Sequence, residues 1–182
     1  MIKISGGSKK GQRIHTPNNR ELRPTSGKVK AAIFNILAEK VQQAEFLELF
    51  AGSGSVGIEA LSRGARHCTF VEKDKKHFRL LRQNIERLNY QNSTTLICTD
   101  AMKFKETEIL YDIIFVDPPY SSKVLEKLLP ELGGSGMIQK NAILIIEHFK
   151  KNVLDPSIGL FSLVKRYSYG DTILSFYQYL IE

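Results

Sequence analysis

From residue 46 onward, short apolar runs alternate with amphipathic stretches, and the first junction between them is a glycine-rich turn, Gly52-Ser53-Gly54-Ser55-Val56-Gly57. This alternation predicts parallel strands joined by crossover helices. The strands are expected at Phe46 to Phe50, His67 to Val71, Thr94 to Cys98, Ile113 to Val116 and Ala142 to Glu147. Between them, Phe78, Leu81, Ile85 and Leu88 recur at helical spacing, and a further helix is expected near Ser122 to Leu132 with a Gly133-Gly134 stop. The end of the chain differs. Phe161 to Tyr167 and Thr172 to Tyr179 are joined only by Tyr169-Gly170-Asp171, which leaves no room for a helix and predicts an antiparallel hairpin. The expected fold is α/β, a mostly parallel open sheet of about seven strands.

A length of 182 residues with 42% hydrophobic composition suits one domain with one sizeable core. Collagen-like, disulfide-stapled and disordered chains are excluded by composition. No apolar run approaches the roughly 20 residues that span a bilayer, and residues near Met1 lack a signal-peptide core, so a cytoplasmic protein without membrane contact is expected. Cys68 and Cys98 have no CxxC spacing, and His15, His67, His77 and His148 are scattered, so no metal site is expected. Neither GxSxG nor a Walker lysine accompanies the glycines.

The net charge of +7 is unevenly placed: residues 1–43 hold nine bases against two acids, and the remainder is balanced. A basic segment on a neutral body localises contact with a polyanion, although a solvated tail would carry the same charge. Residues 1–23 read as a loop or hairpin arm. After Pro24, Thr25 or Ser26 can cap a helix with Val29, Ile33, Ile36 and Leu37 on one face, lasting to about Val41. The chain is thus expected to divide into a basic arm and helix, 1–43, and a ligand-binding body, 44–182.

A GxGxxG between a strand and a helix lets a ligand approach the backbone and presents free N–H groups. Glu72, 20 residues after Gly52, ends the second strand where an acid can bond ribose hydroxyls. These features suit an adenosine-containing cofactor, either NAD or S-adenosylmethionine. Glu48, expected to point into the same crevice, would repel a pyrophosphate and attract a sulfonium ligand. Asp100-Ala101 follows the third strand, where a carboxylate and an amide could read an adenine edge. Asp117-Pro118-Pro119-Tyr120 follows the fourth. Its two prolines make a stiff rim of carbonyl acceptors, so Asp117 and the Pro118 carbonyl can accept both hydrogens of an exocyclic amine while Tyr120 stacks on the ring. Held this way, the nitrogen lone pair faces an incoming methyl group.

Several segments together carry a family resemblance: Ile4-Ser5-Gly6-Gly7 with Lys10-Gly11, Leu22-Arg23-Pro24-Thr25, Leu47-Glu48-Leu49-Phe50-Ala51-Gly52-Ser53-Gly54, Glu59-Ala60-Leu61-Ser62-Arg63-Gly64-Ala65, Val71-Glu72-Lys73-Asp74, Asp117-Pro118-Pro119-Tyr120 and Tyr169-Gly170-Asp171-Thr172. In this order, over nearly the whole chain, they resemble the class I S-adenosylmethionine-dependent methyltransferases and, among them, the bacterial small-subunit (16S) ribosomal RNA guanine-N2 methyltransferases of the RsmD family. The resemblance implies a Rossmann-like fold with an N-terminal basic arm, and methyl transfer to a guanine N2 amine with S-adenosylhomocysteine as product. It implies cofactor contacts from Glu48, Phe50, Ala51, Gly52, Ser53, Gly54, Glu72, Lys73, Asp100 and Ala101. Asp117, Pro118, Pro119 and Tyr120 would serve the target base, and Lys9, Lys10, Arg13, Arg20, Arg23 and Thr25 the RNA. The expected partner is ribosomal RNA within a small subunit or an assembly intermediate, met by a monomer. The chain departs from the family in having Ser26-Gly27-Lys28 where an acid and an arginine are usual, Lys30 where arginine is usual, and Glu48 where aspartate is common. A DNA adenine-N6 methyltransferase, a nucleic-acid-binding protein with a vestigial pocket and a nicotinamide oxidoreductase are the other readings.

Overall fold

The structure, a computed structural model, describes residues 1–17, 25–105, 108–119 and 124–180. A small antiparallel ribbon, β1 (Ile2–Lys3) with β2 (Arg13–Ile14), opens the chain, and α1 (Gly27–Leu37) follows, capped by the Ser26 hydroxyl accepting from the Val29 amide. The body then runs β3 (Glu45–Leu49), α2 (Ser55–Ser62), β4 (His67–Val71), α3 (Lys75–Arg87), β5 (Thr94–Ile97), β6 (Tyr111–Val116), α4 (Val124–Gly133), β7 (Ile138–Phe149), β8 (Ser157–Ile158), β9 (Phe161–Tyr169) and β10 (Thr172–Tyr179).

The main sheet has the order β5-β4-β3-β6-β7-β10-β9-β8. Strands β3 to β7 pair in parallel, and β10 lies antiparallel between β7 and β9. The expected α/β sheet and terminal hairpin are present, with an eighth strand, the two-residue β8, added at the edge. From β3 the chain moves outward to β4 and β5, then returns to β6 on the other side of β3. This reversal places a crevice outside the carboxyl ends of β3 and β6, where open α/β sheets bind ligands.

Alternation along the strands sorts side chains between two layers. Phe46, Ile113, Phe115 and Ile145 face a core shared with α1 and α2, whereas Leu47, Ile114, Val116 and Ile146 face a core shared with α4. The same parity assigns Glu48, Asp117 and Glu147 to the first face, at its carboxyl edge. Register brings them side by side: Leu49 pairs with Val116 and Val116 with Ile146, so Asp117 and Glu147 each follow a paired position.

The basic arm is part of that first core. Ile4 and Ile14 are buried in the same cluster as Val29, Ile33 and Phe34. The Ser5 amide and hydroxyl both donate to the Glu59 carboxylate of α2, at 2.8 and 2.7 Å, and the Ser8 amide donates to the Ser62 carbonyl at 2.7 Å. Further along, the His15 amide donates to Asn84 Oδ1 at 2.9 Å. Residues 1–17 are therefore a docked hairpin, and the solvated-tail reading does not apply to them.

Lys30 lies inside the structure: it is fully buried, with Nζ 3.0 Å from Glu59 Oε2 and 3.0 Å from the Lys3 carbonyl. The two buried charges join α1, α2 and the arm. Burial alone would raise the Glu59 carboxyl, but the Ser5 bonds and Lys30 hold it below the usual carboxylate range. Among the described residues, no helix is long and apolar enough to cross a membrane.

Candidate active site

Strand β3 ends abruptly. Phe50 adopts a left-handed φ of 60°, a conformation that costs a non-glycine residue about 1–2 kcal/mol, and Ala51 donates to the Val71 carbonyl at 3.0 Å. The turn that follows is glycine-dependent at Gly54. Its φ is 75°, and a Cβ there would stand 2.4 Å from Leu81 Cδ1 and 3.2 Å from Phe70 Cε1. Behind the turn, buried Asn84 of α3 donates to the carbonyls of Ser53 at 3.1 Å and His15 at 2.9 Å, tying the turn to the arm.

Glu72 closes the turn from the end of β4. One carboxylate oxygen accepts from the Gly52 amide at 2.7 Å and the other from the Asp74 amide at 2.7 Å. Each oxygen keeps a second lone pair, so the group can hold the turn and still accept from a ligand hydroxyl. Lys73 is exposed, 3.5 Å from Asp100 Oδ2. Asp100 Oδ1 accepts from the Met102 amide at 3.0 Å and so caps a short 3-10 turn, Ala101–Lys103. Beside buried Ala101, on the other face of the sheet from the acids, a cavity of about 550 Å³ opens among Leu49, Phe104, Leu128, Leu132 and Met137.

Glu48 lies under the turn instead of reaching across the crevice. Its Oε2 accepts from the Gly57 amide at 2.7 Å, and a Cβ on residue 57 would sit 2.7 Å from the same oxygen. Burial raises the Glu48 pKa to about 8 against the amide bonds and Lys30, which lower it. A carboxyl whose folded pKa exceeds its unfolded value loses protons first in the unfolded chain, so stability falls as pH rises from about 4.5 to about 8, by at most about 5 kcal/mol. Glu48→Gln removes this penalty. Thermal unfolding across pH should show the variant gaining on the wild type through that window and matching its trend below it. A gap constant with pH would mean that Glu48 ionises normally.

The Asp117-Pro118-Pro119 segment leaves the end of β6 at the crevice mouth, with Pro118 buried, Pro119 exposed and Asp117 half-buried. Thr25 stands over it from the residue before the Ser26 cap. Its hydroxyl is 3.0 Å from Glu147 Oε2 and 3.5 Å from Asp117 Oδ2. Burial first, then the carboxylates of Glu147 and Glu48, push the Asp117 carboxyl well above the usual range, and the Thr25 bond opposes them. A carboxyl so perturbed in a cleft makes Asp117 a candidate functional position.

The residues expected at the site fall into three groups. Gly52, Ser53, Gly54, Glu48 and Glu72 converge at the turn, Asp100 and Ala101 flank it, and Asp117 lies across the crevice. Of the residues expected on RNA, Lys10 and Arg13 are exposed, whereas the Lys9 amide donates to Ser62 Oγ at 3.0 Å and its ammonium lies over the Tyr90 ring. Thr25 is 4% exposed and belongs to the carboxylate cluster. Arg20, Arg23 and Tyr120 lie outside the described residues. Glu147 was not expected here; its only sequence signal is an acid ending a buried apolar strand.

The strand order, with its switch point at β3 and β6 and a glycine turn closed by the acid that ends β4, is that of a Rossmann-like class I methyltransferase. The profile of the family described as Conserved hypothetical protein 95 matches residues 2–178. Ribosomal RNA small subunit methyltransferase D of Buchnera aphidicola subsp. Acyrthosiphon pisum is 38% identical over 152 residues, covering 82% of this chain and 79% of that protein. The protein of the same name from Escherichia coli K12 is 33% identical over 179 residues, 98% of this chain and 90% of that one. The solved structure of Escherichia coli yhhF superposes with a TM-score of 0.88 at 32% identity, covering 98% of this chain and 97% of that chain. An RNA methyltransferase from Salinibacter ruber, solved with S-adenosyl-L-homocysteine, shares the fold at a TM-score of 0.69 and 15% identity, covering 88% of this chain and 95% of that one. The chain belongs to the Conserved hypothetical protein 95 family, the RsmD family of S-adenosylmethionine-dependent methyltransferases.

Proposed function

We propose that this chain transfers a methyl group from S-adenosylmethionine to the exocyclic N2 amine of a guanine in small-subunit ribosomal RNA. The observation that carries the reading is the meeting, at one switch point, of an acid-closed glycine turn with the Asp117-Pro118-Pro119 rim. The turn fits the cofactor chemically. The acid that closes it, Glu72, suits a ligand bearing a sulfonium and an ammonium and would repel a pyrophosphate, while Glu48 beneath the turn braces the Gly57 amide. Gly52 to Gly54 with Phe50 and Ala51 would hold the methionine part, Glu72 the ribose, and Asp100 and Ala101 the adenine, with Lys73 alongside. When bound, the cofactor supplies an electrophilic methyl group.

The chain's own residues orient the nucleophile. Asp117 and the Pro118 carbonyl accept the two amine hydrogens, and Tyr120 offers a face for the ring. The lone pair is thereby aimed, and no stronger nucleophile is required. Because the amine of a paired guanine is stacked, the base must be exposed or flipped. The names carried by the family's relatives support ribosomal RNA as the polymer. The test is incubation with labelled S-adenosylmethionine and small subunits from cells lacking the enzyme, followed by nucleoside analysis. N2-methylguanosine is expected, and N6-methyladenosine would transfer the chain to the adenine methyltransferases. Run on naked RNA, assembly intermediates and finished subunits, the same assay identifies the substrate, and a cytoplasmic monomer is the form proposed to meet it.

Within residues 1–43, phosphate contact falls to the exposed cations. Lys10→Ala and Arg13→Ala should each weaken RNA binding and reduce its log–log salt slope by up to about one, with cofactor affinity unchanged. Arg20 and Arg23 belong to the same proposal. Point substitutions are the proper probe, because deleting the hairpin would strip Ile4 and Ile14 from the core. Salt slopes equal to wild type in all four variants would assign RNA recognition to residues 44–182.

A further inference from the structure

Helix α3 carries a charge that the balance of residues 44–182 conceals: it holds five bases and a single acid, Glu86. At 3.6 residues per turn, Lys75, Lys76, Arg79, Arg82 and Arg87 fall within one arc of about 140°, in a row about 18 Å long. All five are exposed, whereas Leu81, Ile85 and Leu88 on the opposite side are buried in the core. Among the described residues, no carboxylate lies within ion-pairing distance of Lys75, Lys76, Arg79 or Arg82. The arrangement works against the helix itself. Lys75 and Lys76 occupy the first turn, where the helix dipole disfavours cations, and Arg79 stands three or four residues from Lys75, Lys76 and Arg82, at the spacing where like charges repel.

An anion that relieves this repulsion must extend along the whole row, as a phosphate backbone does: a duplex strand offers one charge per about 3.4 Å, or about five over this length. A lipid surface fits poorly, because the apolar face that would enter it is already spent on the core. The ends of the row also agree with a nucleic acid. Lys75 lies three residues beyond Glu72, at the edge of the crevice. The other end meets the arm, where Arg87 donates to the Arg13 carbonyl and the Lys9 ammonium lies 5.5 Å from the centre of the Tyr90 ring, so exposed Lys10 and Arg13 continue the line of charge. We infer that the exposed face of α3 is a second RNA-binding surface, which joins the cations of the arm to the edge of the crevice and grips phosphates on the way. The inference rests on the RNA-methylating reading of the site. Such a contact fixes the path of the strand and leaves the choice of base to the crevice.

Anisotropy of labelled small-subunit ribosomal RNA fragments, titrated across salt with S-adenosylhomocysteine present, tests this. Lys76→Ala combined with Arg79→Ala should weaken binding about tenfold or more at physiological salt and reduce the log–log slope by up to about two. Lys127→Ala combined with Lys140→Ala removes the same charge from exposed positions on α4 and β7, and should weaken binding no more than about twofold. Arg79→Glu supplies a readout that a structural role would not move. An acid at the centre of the row relieves the repulsion, so the melting temperature at low salt should equal or exceed that of the wild type while RNA binding falls further than with alanine. Affinity for S-adenosylhomocysteine should be unchanged in every variant. The inference is overturned if the α3 pair and the control pair give equal slopes and affinities, or if Arg79→Glu loses RNA binding only in step with its melting temperature. Because the measurement needs no turnover, it can fail while nucleoside analysis returns N2-methylguanosine, or succeed while the methylated base proves to be another.

Discussion

Replacing Asp117 with alanine is expected to lower turnover about a thousandfold or more while leaving S-adenosylhomocysteine affinity nearly unchanged. The side chain faces Thr25 and Glu147 across the crevice, whereas the cofactor turn is held by Glu72 and Asn84, so truncation removes an acceptor for the amine and nothing from the turn. A second effect should accompany the loss. Burial and the neighbouring acids hold the Asp117 carboxyl well above its ordinary range, so at neutral pH the unfolded chain ionises a group that the fold keeps protonated; alanine removes that penalty, and the melting temperature of the variant at neutral pH should equal or exceed that of the wild type. Single-turnover kinetics, calorimetry and thermal unfolding on one preparation decide the matter. Turnover within a few fold of wild type would remove Asp117 from the chemistry, and a large drop in melting temperature would recast it as structural.

The largest stability effect is expected at the other end of the same core. Glu59→Ala strands the Lys30 ammonium, which is fully buried, and leaves the Ser5 amide and hydroxyl without their acceptor. Breaking a buried pair from one side costs about 3–5 kcal/mol, which in a chain of this length lowers the melting temperature on the order of 10 °C. Replacing both partners by apolar residues, Lys30→Met with Glu59→Leu, should recover much of it, since no charge is then buried alone. Chemical denaturation of the single and double variants measures both effects. The exposed pair Lys150–Asp171, with side chains 52% and 58% accessible, is the internal control and should cost no more than about 1 kcal/mol. A Glu59→Ala loss as small as the control would show that Lys30 reaches solvent.

How much of this was legible in the chain depended on distance along it. Strands β4 and β10 were readable to the residue, because an apolar run between polar turns is a local pattern. The two strand ends that carry the site were readable too, since a glycine turn and a Pro-Pro rim each announce the end of a strand. What the pattern hid was non-local. Glu147 reads as the polar end of a strand, and its place beside Asp117 depends on the β6–β7 register and on Thr25, which is 122 positions away. Lys30 reads as a surface cation in a basic segment, because nothing near it announces that Glu59 of α2 will accept its charge inside the core. The arm was the hardest to judge, since the nine bases of residues 1–43 argue for solvent while two isoleucines anchor it.

The placing of β10 between β7 and β9 has a consequence for how the molecule is made. Strand β7 is finished at Phe149, but the partner for its outer edge does not begin until Thr172. At a translation rate of about 5–20 residues per second, that edge stays unpaired for roughly one to five seconds, with its N–H and C=O groups open to the wrong partner. Glu147 sits on this strand, paired in the finished sheet with Leu174. Every member of the carboxylate cluster is therefore made before β10, but the strand that carries Glu147 is paired on both edges only once β10 has entered the gap between β7 and β9.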